Sequence, residues 1–210
     1  MTERSPVSKL TLFHAAHSRS SIALWMLEEI GEPYEIKLIS LKSGETRQPA
    51  YLAMNPMGKV PALKDGDVAV TECAAICCYL ADAYPKSGLS VPIGDPERGV
   101  YLKWLFFGPS CLEPAMIDRS LKREGAARSM LGWGDYDTVI DVITKAIAKG
   151  PYLLGDKFTA ADVIIGSGLR WGTMFELIPK TGEISAYISR LEQRPALQRA
   201  TEKDAQLAAA

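Results

Sequence analysis

Histidine is nearly absent from this chain, with 2 in 210 residues, and cysteine is scarce at 4. The cysteines (Cys73, Cys77, Cys78 and Cys111) form no C-x-x-C pair, and three of them crowd between positions 73 and 78. That spacing fits neither a disulfide framework nor a zinc ribbon, so free thiols are expected. Cys73 and Cys77 share a helix face at i, i+4, but no histidine lies near them in sequence, so they read as small packing residues and no metal site is expected. Blocks of like charge are also missing. Lys and Arg number 24 against 25 Asp and Glu, a net charge of −1, which argues against nucleic acid or an anionic membrane as the main partner. No apolar run reaches the ~18 residues of a membrane span. The opening Met-Thr-Glu-Arg-Ser-Pro is too polar to begin a secretory signal, so a cytoplasmic address is expected. The composition, 47% apolar and 23% charged, is that of a folded globular chain long enough for one large domain or two small ones.

The first 85 residues alternate strand and helix signals. Leu10-Thr-Leu-Phe13 reads as a strand, Ile22 to Ile30 as a helix stopped by Gly31 and Pro33, and Tyr34 to Ile39 as an alternating second strand. Strand, helix, strand at this spacing predicts a parallel pair. Glu45 to Met54 suits a short helix. Val60 to Leu63 and Val68 to Val70 flank an Asp-Gly hairpin signal, and a helix follows from Glu72 to Ala83. Pro85 to Pro96 holds too many breakers for a regular element and reads as a linker, placing domains at 1–85 and 97–210 with 86–96 between them. The second domain reads as all helical. One long or kinked helix is expected from Glu97 to about Arg128, bent by Gly108-Pro109 and Pro114. Helices at 137–149, 183–193 and 196–207 accompany an apolar one opened by the capping box Thr159-Ala-Ala-Asp162.

The segment Asn55-Pro-Met-Gly-Lys-Val-Pro61, followed by Thr71-Glu-Cys-Ala-Ala-Ile76 at a helix start, suggests chemistry. A cis Val60-Pro61 bond would turn the Val60 backbone away from the sheet and free it to pair with an extended peptide; a trans bond would leave Pro61 as a turn residue. At Glu72-Cys73, helix N–H groups and the positive end of the helix dipole suit a carboxylate, while the Glu72 carboxylate suits an ammonium. A groove with those two features fits a small γ-glutamyl peptide. The alternative is that Glu72 is an ordinary helix-start acid.

These motifs resemble the glutathione transferase family nearly end to end, the bacterial cytosolic type in particular. Phe158-Thr-Ala-Ala-Asp162 resembles its helix-capping motif and Arg194-Pro195-Ala196 a tripeptide near its C-terminus. The resemblance implies an α/β thioredoxin-like N-terminal domain followed by an all-α domain. It implies that Pro61 is cis, that Val60 pairs with the cysteinyl residue of glutathione, and that Glu72 and position 73 hold the γ-glutamyl head; Lys59 joins them as a glutathione-binding residue. It implies glutathione as co-substrate, a small apolar electrophile bound between the domains, and a homodimer. Glutathione-dependent reduction of a disulfide or peroxide, or a non-catalytic binding module, are the alternatives. Cys73 departs from the serine usual in the family, and a thiol is the weaker donor. Family members place Tyr, Ser or Cys after the first strand to activate the thiol. The loop His14-Ala-Ala-His-Ser-Arg-Ser-Ser21 offers only serines, so Ser18 is expected as activator, with Ser20 the alternative and Ser20 or Ser21 capping the helix. His17 reads as a solvated loop residue.

Overall fold

A computed structural model describes residues 10–123 and 126–209. The described residues up to Ser87 together with those from Pro195 onward form one compact unit, and Gly88–Arg194 form a second.

In the first unit, β1 (Leu10–His14), α1 (Ser20–Ile30), β2 (Tyr34–Leu38), α2 (Pro49–Leu52), β3 (Ala62–Asp65), β4 (Val68–Thr71) and α3 (Cys73–Ala83) follow in order. The sheet order is β2-β1-β3-β4. β1 runs parallel to β2 and antiparallel to β3, which is antiparallel to β4. This is the thioredoxin-like arrangement expected from the sequence. Leu10 and Leu12 of β1 are buried under α1, whose Leu24, Trp25, Met26 and Leu27 are buried too. Gly31 ends α1 in the left-handed region at φ 75°, where its N–H bonds the Leu27 carbonyl at 3.0 Å, a conformation open to glycine at little cost. The Asp-Gly signal also holds, since Asp65 pairs with Val68 across Gly66 at φ 61°.

A last helix, α9 (Pro195–Ala209), packs on α1 within this unit. The sequence boundaries place these residues with 97–210; in the structure their apolar side chains, Ala196, Leu197 and Ala200, are buried beside α1.

The second unit contains α4 (Arg98–Phe107), α5 (Glu113–Ser120), α6 (Tyr136–Ile147), α7 (Ala160–Met174) and α8 (Gly182–Glu192). α7 is its centre, with Val163, Ile165 and Leu169 fully buried. The expected helix from Glu97 to about Arg128 is shorter and interrupted. A π-turn at Gly108–Leu112 separates α4 from α5, because Pro109 has no N–H to donate. At Gly108 a Cβ would stand 2.4 Å from Ile164 Cγ2, so the close approach to α7 requires glycine. The helix stops at Ser120, where Lys122 turns left-handed at φ 49° and the Arg123 N–H bonds the Asp118 carbonyl at 3.0 Å, a Schellman-type ending without glycine. Glu124 and Gly125, within the expected helix, lie outside the described residues.

Candidate functional site

The pairing register brings the candidate residues to one end of the sheet. Phe13 pairs with Ala62, which pairs with Thr71. One step beyond that row lie His14 on β1, Pro61 ahead of β3 and Glu72 after β4. The Ser18 loop leaves from His14, and the Cys73 Sγ reaches the Arg19 carbonyl of that loop at 3.5 Å. The backbone positions of Ser18, Lys59, Val60, Pro61, Glu72 and Cys73 therefore lie at one end of the sheet.

The Val60-Pro61 bond is cis. No hydrogen bond to the Val60 backbone is found among the described residues. The carbonyl just before it is held firmly: Lys59 O accepts from Tyr51 Oη at 2.6 Å and Asn55 Nδ2 at 2.8 Å. Asn55, buried, also accepts from the Met57 N–H at 3.1 Å. Gly58 closes the turn at φ 61°, where a Cβ would stand 2.9 Å from the Thr46 carbonyl oxygen. Tyr51 and Asn55 thus shape the segment that carries Val60. Asn55 stood in the motif, whereas Tyr51 gave no signal beyond an aromatic in a short helix. The Lys59 side chain is exposed.

Glu72 adopts φ 68° and ψ 127°, a backbone region that costs a residue with a side chain roughly 1–3 kcal/mol. The strained peptide orients the start of α3, whose first amides lack intrahelical acceptors. The Glu72 side chain is exposed. An exposed carboxylate thus stands beside the positive end of the α3 dipole.

The serines separate by burial. Ser20 is fully buried. It does not cap α1, whose N-cap is Arg19 with no side-chain hydrogen bond. Its Oγ accepts from the Ala15 N–H at 3.0 Å and lies 2.8 Å from His14 Nδ1. Ser21 does not cap either, and its hydroxyl donates to Asp204 Oδ1 at 3.1 Å. Ser18 is half-buried, with its Oγ 2.6 Å from the Ala15 carbonyl and 2.7 Å from Ser20 Oγ.

No sequence motif marks the next partners. His14 is fully buried at the end of β1, and its Nε2 lies 2.9 Å from Asp204 Oδ1 on α9. The contact has ion-pair length without hydrogen-bond alignment. His17, largely exposed, donates its backbone N–H to Asp204 Oδ2 at 3.3 Å and places Nδ1 3.4 Å from the same oxygen. Burial raises the Asp204 carboxyl, but His14, the His17 N–H and the Ser21 hydroxyl outweigh it and hold the group below the usual carboxylate range. No local pattern could have tied Asp204 to His14.

Cys77 is buried, which pushes its thiol well up, while Cys73, Cys78 and Cys111 are partly buried and form no disulfide. Among the described residues, no group of His, Cys, Asp and Glu is placed to hold a metal ion, and no helix is long and apolar enough to cross a membrane.

Residues 8–82 match the family profile "Glutathione S-transferase, N-terminal domain" and residues 135–195 match "Glutathione S-transferase, C-terminal domain". A glutathione S-transferase of Arabidopsis thaliana is 32% identical over 167 residues, 73% of this chain and 76% of its own. Among solved structures, a glutathione transferase from Methylococcus capsulatus superposes with a TM-score of 0.77 at 29% identity, over 94% of this chain and 99% of its own. Another, from Phanerochaete chrysosporium in complex with oxidized glutathione, gives 0.78 at 27% identity over 95% and 98%.

Proposed function

Because the chain belongs to the glutathione S-transferase family, we propose that it binds glutathione at the edge of the first unit and activates its thiol for attack on a small apolar electrophile. In this reading the Val60 backbone pairs with the cysteinyl residue. Glu72 receives the γ-glutamyl ammonium, the amides of Cys73 and its neighbours receive the adjoining carboxylate, and Lys59 offers a cation to the peptide's other end. Ser18 donates its hydroxyl to the sulfur. A homodimer in the cytoplasm completes the reading by family membership.

The observation that carries it is the meeting, around one register row, of cis Val60-Pro61, a left-handed Glu72 ahead of α3, and a half-buried Ser18. Ser20 is the poorer candidate because every side of its oxygen faces protein. The energetics are sufficient. A free thiol near pKa ~8.5 must drop about two units to ionise at neutral pH, or about 2.7 kcal/mol. A hydroxyl bond to a charged acceptor gives roughly 1.5–3 kcal/mol, and the N-terminus of α1 adds ~0.3–1.

The test follows the ultraviolet absorbance of the bound thiolate as pH varies. Ser18→Ala should raise the pKa of bound glutathione by about one to two units and leave its affinity nearly unchanged. A shift seen only in Ser20→Ala would transfer the role, and a shift in neither would remove the side chain from the activation.

A further inference from the structure

Behind Ser18 lies a continuous chain of polar atoms that glutathione binding alone does not require. Ser18 Oγ is 2.7 Å from Ser20 Oγ, Ser20 Oγ is 2.8 Å from His14 Nδ1, and His14 Nε2 is 2.9 Å from Asp204 Oδ1. Its inner members are shielded from water, since Ser20 and His14 are fully buried and Asp204 nearly so. A buried imidazole against a carboxylate, in a protein with only 2 histidines, is an expensive arrangement for packing alone. We propose that His14, held by Asp204, takes up the proton of the glutathione thiol through Ser18 and Ser20, so that the thiolate forms without giving its proton to water.

The contacts along the chain allow two proton arrangements, in both of which His14 Nε2 meets Asp204 at ion-pair distance. At rest, the Asp204 carboxylate favours the His14 proton on Nε2, leaving Nδ1 as an acceptor. Ser20 then donates to Nδ1 and accepts from the Ala15 N–H at 3.0 Å and from Ser18. The Ala15 carbonyl, 2.6 Å from Ser18 Oγ and 3.0 Å from Ser20 Oγ, competes for both hydroxyl protons, and Ser18 Oγ also accepts from the Ser20 N–H at 3.2 Å. On activation the S–H bond breaks and its proton moves to Ser18 Oγ. The Ser18 proton moves to Ser20 Oγ and the Ser20 proton to His14 Nδ1. Afterwards Ser18 donates to the thiolate, Ser20 donates to Ser18, and His14 donates to Ser20, which still accepts from Ala15. No oxidant or further reactant enters. One neutral thiol and one neutral imidazole become a thiolate and an imidazolium, and the imidazolium faces an ionised carboxylate. When the thiolate has attacked, the chain runs backwards and returns the proton to the leaving group.

The groups facing His14 are Asp204 of α9 and, across the same carboxylate, His17 of the loop. A proton taken up by His14 faces the Asp204 carboxylate at 2.9 Å, which attracts it. His14, Ser20 and Asp204 act through Ser18 and are positioning residues.

The inference rests on Ser18 as the proposed activator, and the experiment separates the two. Reduced glutathione is titrated into the parent at neutral pH in two buffers of different ionisation enthalpy, with thiolate absorbance recorded in parallel. Thiolate formation with well under one proton released per site is the expected result; one proton released per thiolate overturns the relay while leaving the activation by Ser18 standing. Binding without thiolate, or no binding at millimolar glutathione, removes both. His14→Gln and Asp204→Asn should each raise the pKa of the bound thiol by about one to two units and restore release of one proton per thiolate formed. His17→Asn, which touches the same carboxylate from outside the chain, should leave the proton count unchanged. If the buried His14→Gln fails to fold, the parent's proton count still decides.

Discussion

Glu72 combines a strained backbone with an exposed carboxylate, and the two properties can be separated by substitution. Glu72→Ala removes the partner proposed for the γ-glutamyl ammonium, a bond to a charged group worth about 1.5–3 kcal/mol, so glutathione affinity should fall 10- to 150-fold by calorimetry. Glu72→Gly should lose the same affinity while gaining about 1 kcal/mol of stability, because glycine adopts φ 68° without a steric penalty. Equal binding by Glu72→Ala and the parent would show that the groove has been placed wrongly. The neighbouring Cys73 gives a prediction of opposite direction. Its thiol reaches the Arg19 carbonyl at 3.5 Å, a long and weak bond. Cys73→Ser supplies a stronger donor in the same place, and glutathione affinity should rise about 2- to 10-fold, the value of one neutral hydrogen bond. Unchanged affinity would mean that only the backbone at position 73 meets the ligand.

Between elements, the attachment of α9 to α1 depends on a cluster of charges around Glu28. This carboxylate, buried on α1, accepts from Arg199 Nε at 2.7 Å, from Lys203 Nζ at 2.6 Å and from the Tyr34 hydroxyl. Burial raises its pKa, but Lys203, Tyr34 and Arg199 outweigh burial and hold it below the usual carboxylate range. A depressed folded-state pKa stabilises above the unfolded value and ceases to do so as pH falls through the folded one. Asp204, depressed as well, acts in the same direction. Asp162 on α7 acts oppositely: burial raises its carboxyl despite bonds from the Leu153 and Thr159 N–H groups and the Tyr187 hydroxyl. Acidification from about pH 4.5 downward should therefore strip hydrogen-exchange protection from α9 before α7. Simultaneous loss would contradict this account. Glu28→Ala should destabilise the first unit by about 1.5–3 kcal/mol in denaturant unfolding, the usual value of bonds to a charged group.

The elements that the sequence revealed are those fixed by neighbours in the chain. The Asp65-Gly66 turn, the Gly31 stop and the Thr159-Asp162 box act over a few residues, so composition and spacing expose them. The end of α5 did not show, because Lys122 fills a left-handed position that glycine usually marks. At the candidate site, the motifs around Pro61 and Glu72 were legible. The choice between Ser18 and Ser20 was not, since it depends on what covers each hydroxyl. His14 stood in plain view as a loop residue, but its partner Asp204 lies on a helix whose place against α1 no local signal records.

On the scale of the whole molecule, the two units carry separate determinants. In the second, Asp162 accepts from Leu153 N at 2.9 Å, Thr159 N at 2.9 Å and the Tyr187 hydroxyl at 2.8 Å. Asp162→Ala strands those buried donors, each costing about 1–3 kcal/mol when unsatisfied. It should lower exchange protection across α7 and α8.

The return of α9 to the first unit also sets an order of events during synthesis. The bonds that join α9 to α1 and its preceding loop span 171 to 187 residues of sequence, and all of Gly88–Arg194 must be translated between the two partners. At about 5–20 residues/s that interval is on the order of 10 s. Throughout it the emerging first unit exposes the apolar face of α1 that α9 later covers, together with a Glu28 lacking its cations and a His14 lacking its carboxylate. The nascent chain thus carries an uncovered apolar face for the whole time that its second unit is being made.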